Sequence, residues 1–136
     1  MLLLSYEQVK LYLYRPFLHY LKASGQEDQS SGSYEKASAY ATACINTSHE
    51  IIHSSYDMCR RGILCGAYWH VPHMIFSSIL ALMYVVFDSR HEKGTDAMFK
   101  DIAIGRKTMA LLARNGIAAA RGKTMLSVSV TIFRRC

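Results

Sequence analysis

The sequence predicts an all-α fold: a helical, bundle-like fragment with one long buried apolar helix. Three observations carry that expectation. Apolar residues recur at three- and four-residue steps in four separate segments. Eight Gly and two Pro in 136 residues are too few for a loop-rich β-sandwich. From Gly62 to Phe87, 26 consecutive residues include no Asp, Glu, Lys or Arg. The helices are expected near 3–22, 34–61, 72–88 and 96–113.

The first helix runs from about Leu3 through Tyr14. Pro16 lacks a backbone donor and crowds the carbonyl four residues back, so the helix must kink or restart there before continuing to about Lys22. Val9, Leu13, Phe17 and Tyr20 fall at helical steps and are expected to line one buried face. Ala23–Ser33, ASGQEDQSSGS, has no large apolar residue and reads as a linker. Ser33 is a plausible N-cap for the second helix, and Glu35 in its first turn suits the dipole. Ala37, Ala41, Cys44, Ile45, Ser48, Ile51, Ile52, Ser55 and Met58 form its inner face. Arg60 and Arg61 favour its C-terminus, where Gly62 supplies a left-handed cap.

The third segment could be a core helix or a membrane span. A span needs about 20 predominantly apolar residues. His70, Pro72, His73, Ser77 and Ser78 interrupt the first half, so burial at the centre of a domain is expected. A small protein spanning a membrane near residues 66–87 is the alternative. Thr95 or Asp96 caps the fourth helix, which runs from about Ala97 to the breaker Asn115-Gly116. Ile117–Met125 can resume helix. Leu126–Phe133, LSVSVTIF, alternates as an exposed strand would, yet no other segment offers a partner strand.

One domain's worth of chain, 51% hydrophobic, supports a packed core and not disorder. Cysteines at 44, 59, 65 and 136 contain no CxxC and no regular framework, which fits reduced intracellular thiols. Met1-Leu2-Leu3-Leu4 passes at once into polar residues, so no signal peptide is expected. Asn46-Thr47-Ser48 is a formal glycosylation sequon inside a helical pattern and is discounted. The net charge of +6 is uneven: residues 1–101 hold all ten acids and nine bases, whereas residues 102–136 hold seven bases and no acid. Arg106, Lys107, Arg114, Arg121 and Lys123 are spaced as the solvent face of a helix. Only Arg134-Arg135 form a run, a poor footprint for nucleic acid.

Few motifs carry chemistry. His49-Glu50-Ile51-Ile52-His53 is literally HExxH, whose two imidazoles share a helical face and whose glutamate can activate a metal-bound water. A catalytic zinc needs a third protein ligand. After His53 the chain reads Ser-Ser-Tyr-Asp-Met-Cys, without the Gly and His of the extended motif, and Glu92 lies far downstream. No metal is therefore expected, with His49 and His53 as the weak alternative of a zinc peptidase. His70 and His73 flank Pro72 without a carboxylate or CxxC nearby and read as structural. No GxSxG, Walker-type or GxGxxG motif is present, so no catalytic residue is assigned. Tyr6, Tyr12, Tyr14 and Tyr20 form a helical stripe that could stack bases beside Lys10 and Arg15, although core packing is the default.

Three segments in register carry a resemblance: Leu11 to Leu21 with its Arg15-Pro16-Phe17-Leu18 junction, Met58 to Trp69 with Arg61-Gly62, and Asp101 to Leu126 with Gly105, Leu112 and Ala118-Ala119. Over most of residues 6–126 the chain resembles the fungal-specific transcription factor domain, the regulatory middle region of zinc binuclear-cluster regulators. The resemblance implies an all-helical partial regulatory domain at 1–126, with 23–33 as linker loop and 127–136 as an atypical tail. Arg15, Pro16, Phe17, Leu18, Arg61, Gly62 and Trp69 would be signature positions acting through packing. It further implies a non-enzymatic role in transcription regulation in the nucleus, with protein partners or the rest of a transcription factor. The family's zinc belongs to an N-terminal six-cysteine module that four scattered cysteines cannot form, so no cofactor, no DNA-reading residue and no membrane partner is expected here. Where the family continues with an acidic residue, Arg and Cys after its paired alanines, this chain has Ala120-Arg121-Gly122-Lys123 and then SVSVTIFRRC, the ending expected of a truncated or misframed product.

Overall fold

A helix that is apolar all round is stable in water only when neighbours cover every side. The computed structural model, which describes residues 2–18, 31–64, 70–88, 95–114 and 117–135, meets that demand with five helices. They are α1 (Leu2–Tyr14), α2 (Ser31–Arg60), α3 (His70–Asp88), α4 (Thr95–Ala113) and α5 (Ile117–Arg135). Helix α3 is packed by α2, α4 and α5, while α1 lies on α2. The 18-residue stretch His70–Phe87 has the length and composition to cross a membrane, but 67% of it is buried inside the bundle, as a core helix is.

The central pair divides the interior into two cores. Ile75, Ile79, Leu82, Met83 and Val86 of α3 join Ile52 of α2, Ile102, Met109 and Leu112 of α4 and Leu126 of α5. The other faces of the same two helices, Met74, Ala81 and Val85 with Ala41, Cys44 and Ile51, enclose Leu4 and Leu11 of α1 and Leu18. Hydroxyls within these layers bond inside their own helix: Ser48 Oγ donates to the Cys44 carbonyl at 2.9 Å, Ser78 Oγ to Met74 and Thr108 Oγ1 to Ile104, also at 2.9 Å. Ser55 Oγ is buried with no such partner among the described residues.

Several boundaries depart from the sequence expectation. Helix α2 starts at Ser31, so residues 31–33 of the expected linker are helical and Ser33 lies inside the helix. Its far end is as expected. Gly62 takes φ +71°, its N–H donates to the Cys59 carbonyl at 3.1 Å, and Ile63 N–H reaches Met58 at 3.0 Å, which together close a Schellman cap. Helix α1 stops at Tyr14, and residues 15–18 tighten into a 3₁₀ turn around Pro16. The expected continuation through Tyr20 to Lys22 and the rest of the linker lie outside the described residues.

The buried face of α1 is corrected outright. Val9 and Leu13 are 64% and 63% exposed, and Leu4, Leu11 and Leu18 are buried instead. Apolar residues surround this helix, so periodicity alone could not select the side that meets α2. The strand-like alternation over residues 126–133, left in conflict with the all-α expectation, resolves as helix, because α5 continues through it. Leu126 and, four residues on, Val130 pack into the core. The intervening polar residues bond backward along the helix, Ser127 Oγ to Lys123, Ser129 Oγ to Met125 and Thr131 Oγ1 to Ser127. Burial of one helical face outweighs the local strand preference of β-branched residues.

Two positions set the tightness of the packing. Gly105 brings α4 against α3: a Cβ there would sit 2.9 Å from Ile79 Cδ1 and Cγ1, in a buried site. Cys44 is fully buried, and burial pushes its thiol from 9.0 up to about 11; burial also raises the Cys59 thiol.

Helix propensity alone would make Gly105→Ala stabilising by about 1 kcal/mol. Overpacking at about 1–3 kcal/mol reverses the sign. Thermal melts should show a lowered Tm for Gly105→Ala, with a smaller further loss from it in an Ile79→Ala background, which removes both obstructing carbons. At Cys44 the folded state holds its proton more tightly than the unfolded chain. That contribution is complete below pH 9 and disappears as pH rises to about 11, a loss of about 1–3 kcal/mol at roughly 1.4 kcal/mol per pH unit. Denaturant melts at pH 8 and pH 10.5 should show a steeper alkaline loss in wild type than in Cys44→Ala.

Candidate functional site

The arrangement with most chemistry lies on the seam between α2 and α4. One helical turn separates His49 from His53, so both imidazoles leave the same side of α2, with ring centroids 4.1 Å apart. Opposite them stands Asp101 of α4, an acid only 8% exposed. His49 Nδ1–H donates to Asp101 Oδ2 at 2.7 Å, and His53 Nε2–H donates to Oδ1 at 2.7 Å. One carboxylate therefore uses both oxygens to bridge two imidazoles across a helix–helix contact. Burial by itself pushes the Asp101 carboxyl up, but the hydrogen bonds and charge of His49 and His53 hold it below its ordinary value of 3.8.

This supplies the third side chain that the sequence around HExxH lacks. Asp101 is 52 residues from His49 in the chain, beyond the reach of any motif. One signal was present: Asp101 shares the stripe of Gly105, Thr108 and Leu112, and an acid on the apolar side of a helix requires a partner. The three donor atoms lie within 4.8 Å of one another. Glu50, the exposed middle residue of the motif, is not part of that group.

Further along the seam, Tyr56 accepts a hydrogen bond from Lys107 Nζ at 3.4 Å and lies beneath the cations of Lys107 and Arg60. Arg106, Lys107, Lys123 and Ser127 border a shallow groove of about 280 Å³ between α4 and α5. All five cations expected on a solvent face, Arg106, Lys107, Arg114, Arg121 and Lys123, are exposed. His73 is not drawn to a metal group; its Nε2 hydrogen-bonds the Tyr12 hydroxyl at 2.7 Å and ties α3 to α1.

The signature positions are dispersed. Arg15 and Pro16 are exposed, Leu18 is buried, and Phe17 is half-buried with its ring 4.9 Å from that of Tyr40. Arg61 Nε pairs with Asp57 Oδ2 at 2.9 Å on the surface, next to the Gly62 cap. Trp69 lies outside the described residues. Opposite the buried side of α1, Leu2, Tyr6, Val9 and Leu13 fall at successive helical steps on one face, all more than 60% exposed. That second apolar stripe has no covering helix among the described residues.

No family model matches the chain, and no solved structure matches it. Curated relatives do. Over 130 residues, 91% of this chain, it is 27% identical to Activator of stress genes 1 of Saccharomyces cerevisiae. Over 94 residues, 69% of the chain, it is 31% identical to a putative transcriptional regulatory protein of the same yeast. Activator of stress genes protein 1 of Candida albicans is 25% identical over 87% of the chain. The chain is thus distantly similar to yeast transcription regulators along most of its length, and spans 12–13% of theirs.

Asp101→Asn keeps the volume but exchanges a charge-assisted acceptor pair for an amide. In chelator-treated protein this should cost about 1–3 kcal/mol, read as a shift in denaturant midpoint with unchanged m-value. An equal midpoint would mean the seam does not depend on this pairing.

Proposed function

We propose that this chain is part of the helical regulatory domain of a fungal zinc-cluster transcription regulator, acting in the nucleus by contact with other protein and without catalysis. The observation that carries the reading is the similarity to yeast regulators over as much as 91% of the chain. The all-helical fold is consistent with it. The outer stripe of α1 adds a physical reason. Leu2, Tyr6, Val9 and Leu13 present an apolar seam of the kind that covers itself with another helix. In a regulator of which this chain spans 12–13%, further helices of the same domain are the natural cover.

DNA recognition does not follow from this surface. Its cations are spread along exposed faces of α4 and α5 and can offer phosphates weak, salt-sensitive attraction, with dissociation constants of about 10⁻⁴–10⁻⁶ M. Reading base edges requires an element aimed into a groove, and the DNA-reading zinc of such a regulator would sit in a separate cysteine module.

Two measurements test the reading. Tethered to an unrelated DNA-binding module in yeast, the chain should change reporter output several-fold. Val9→Asp with Leu13→Asp should abolish that change while helical circular dichroism persists. An unchanged reporter, or one indifferent to the stripe, would contradict it. In a competition titration at physiological salt, the chain alone should show no preference between a promoter element and scrambled duplex; a thousandfold preference, as specific binders show, would reveal a DNA-reading surface.

A further inference from the structure

We propose that His49, His53 and Asp101 form a binding site for a divalent first-row transition ion, with zinc as the physiological class, clamping α2 to α4. The chemistry of the donor set comes first. Two imidazole nitrogens and one carboxylate oxygen are ligands that suit zinc, whose sites of this type hold three protein ligands and keep a water in the fourth position. The donors are supplied by two elements, with His49 and His53 one turn apart and Asp101 facing both.

Geometry then permits the exchange. Zinc–ligand bonds of about 2.0–2.2 Å in a tetrahedron place neighbouring donors about 3.3 Å apart. Here the 2.7 Å contacts reach different oxygens of Asp101, Oδ2 from His49 and Oδ1 from His53, and three donors, one from each residue, lie within 4.8 Å of one another. An ion enters once the imidazoles swing so that one nitrogen of each converges with one Asp101 oxygen on a common point. Their side chains are 46% and 41% exposed, so they have room, and the same exposure lets water fill the fourth position. Asp101, 11% exposed at its side chain, stays fixed as the anchor.

Charge gives the driving force. Asp101 is a buried carboxylate whose ion-pair partners among the described residues are these two imidazoles. An imidazole carries compensating charge only when protonated, whereas a divalent ion carries it permanently. On binding, each imidazole presents a nitrogen lone pair in place of its N–H. A neutral ring moves that proton to its other nitrogen, and a protonated ring releases one to solvent. The ion replaces two hydrogen bonds with three coordinate bonds between the same helices. Glu50 takes no part, and the site is a clamp, not a hydrolytic centre.

The test uses the full chain stripped with a chelator and titrated with zinc chloride, and in parallel with cobalt chloride. One zinc per chain should bind and raise Tm. Cobalt should give the visible d–d band of a low-coordinate nitrogen and oxygen site, without the near-ultraviolet charge transfer that cysteine thiolates produce. His53→Ala and Asp101→Asn should each weaken zinc at least 100-fold and lose the Tm shift, and Cys59→Ser should change neither. His49→Gln, which keeps hydrogen-bonding capacity, serves if either variant fails to give helical circular dichroism. Absence of stoichiometric zinc would overturn the proposal, as would binding that survives all three ligand substitutions or that carries a thiolate band.

Discussion

Everything in this fold answers to the surface of α3. A helix apolar on every side must be enclosed, and no single neighbour can do it. Helices α2, α4 and α5 surround its stem, and α2 carries α1 around to the remaining core. The need for close enclosure explains Gly105, where α4 approaches until Ile79 occupies the space of the missing side chain. It also explains why the hydroxyls of Ser78 and Thr108 turn back on their own helices: a buried polar atom between α3 and its neighbours would otherwise meet only hydrocarbon.

Enclosure ends at α1. That helix contributes Leu4 and Leu11 to the interior and sets Leu2, Tyr6, Val9 and Leu13 toward solvent. Two opposed apolar stripes thus lie on one helix, and among the described residues only the inner one is covered by a neighbouring helix.

Much of this was legible in the residues. Four of the five helices were evident from periodicity, the position of α3 from its lack of charge, and the end of α2 from Gly62. What escaped were choices that only tertiary contacts make. Nothing local tells Val9 from Leu11 on a helix with apolar residues on opposite sides, so periodicity points to Val9 and Leu13 where the fold buries Leu4 and Leu11. LSVSVTIF reads as strand until Leu126 and Val130 find a core to enter. At the candidate site the pair His49 and His53 was plain, but its partner Asp101 is 48 and 52 residues distant. Only the packing of α4 on α2 joins them, and an acid on a buried stripe was the single trace of it.

The central claim is that α3 is the enclosed element on which both cores rest. Hydrogen exchange of the chain in detergent-free buffer tests it most directly, because the slowest amides report the segment that opens only on global unfolding. The account predicts that amides within residues 74–86 exchange slowest of all, with α1 opening well before them. Exchange from α3 as rapid as from α1, or protection that appears only when detergent or lipid is added, would contradict it.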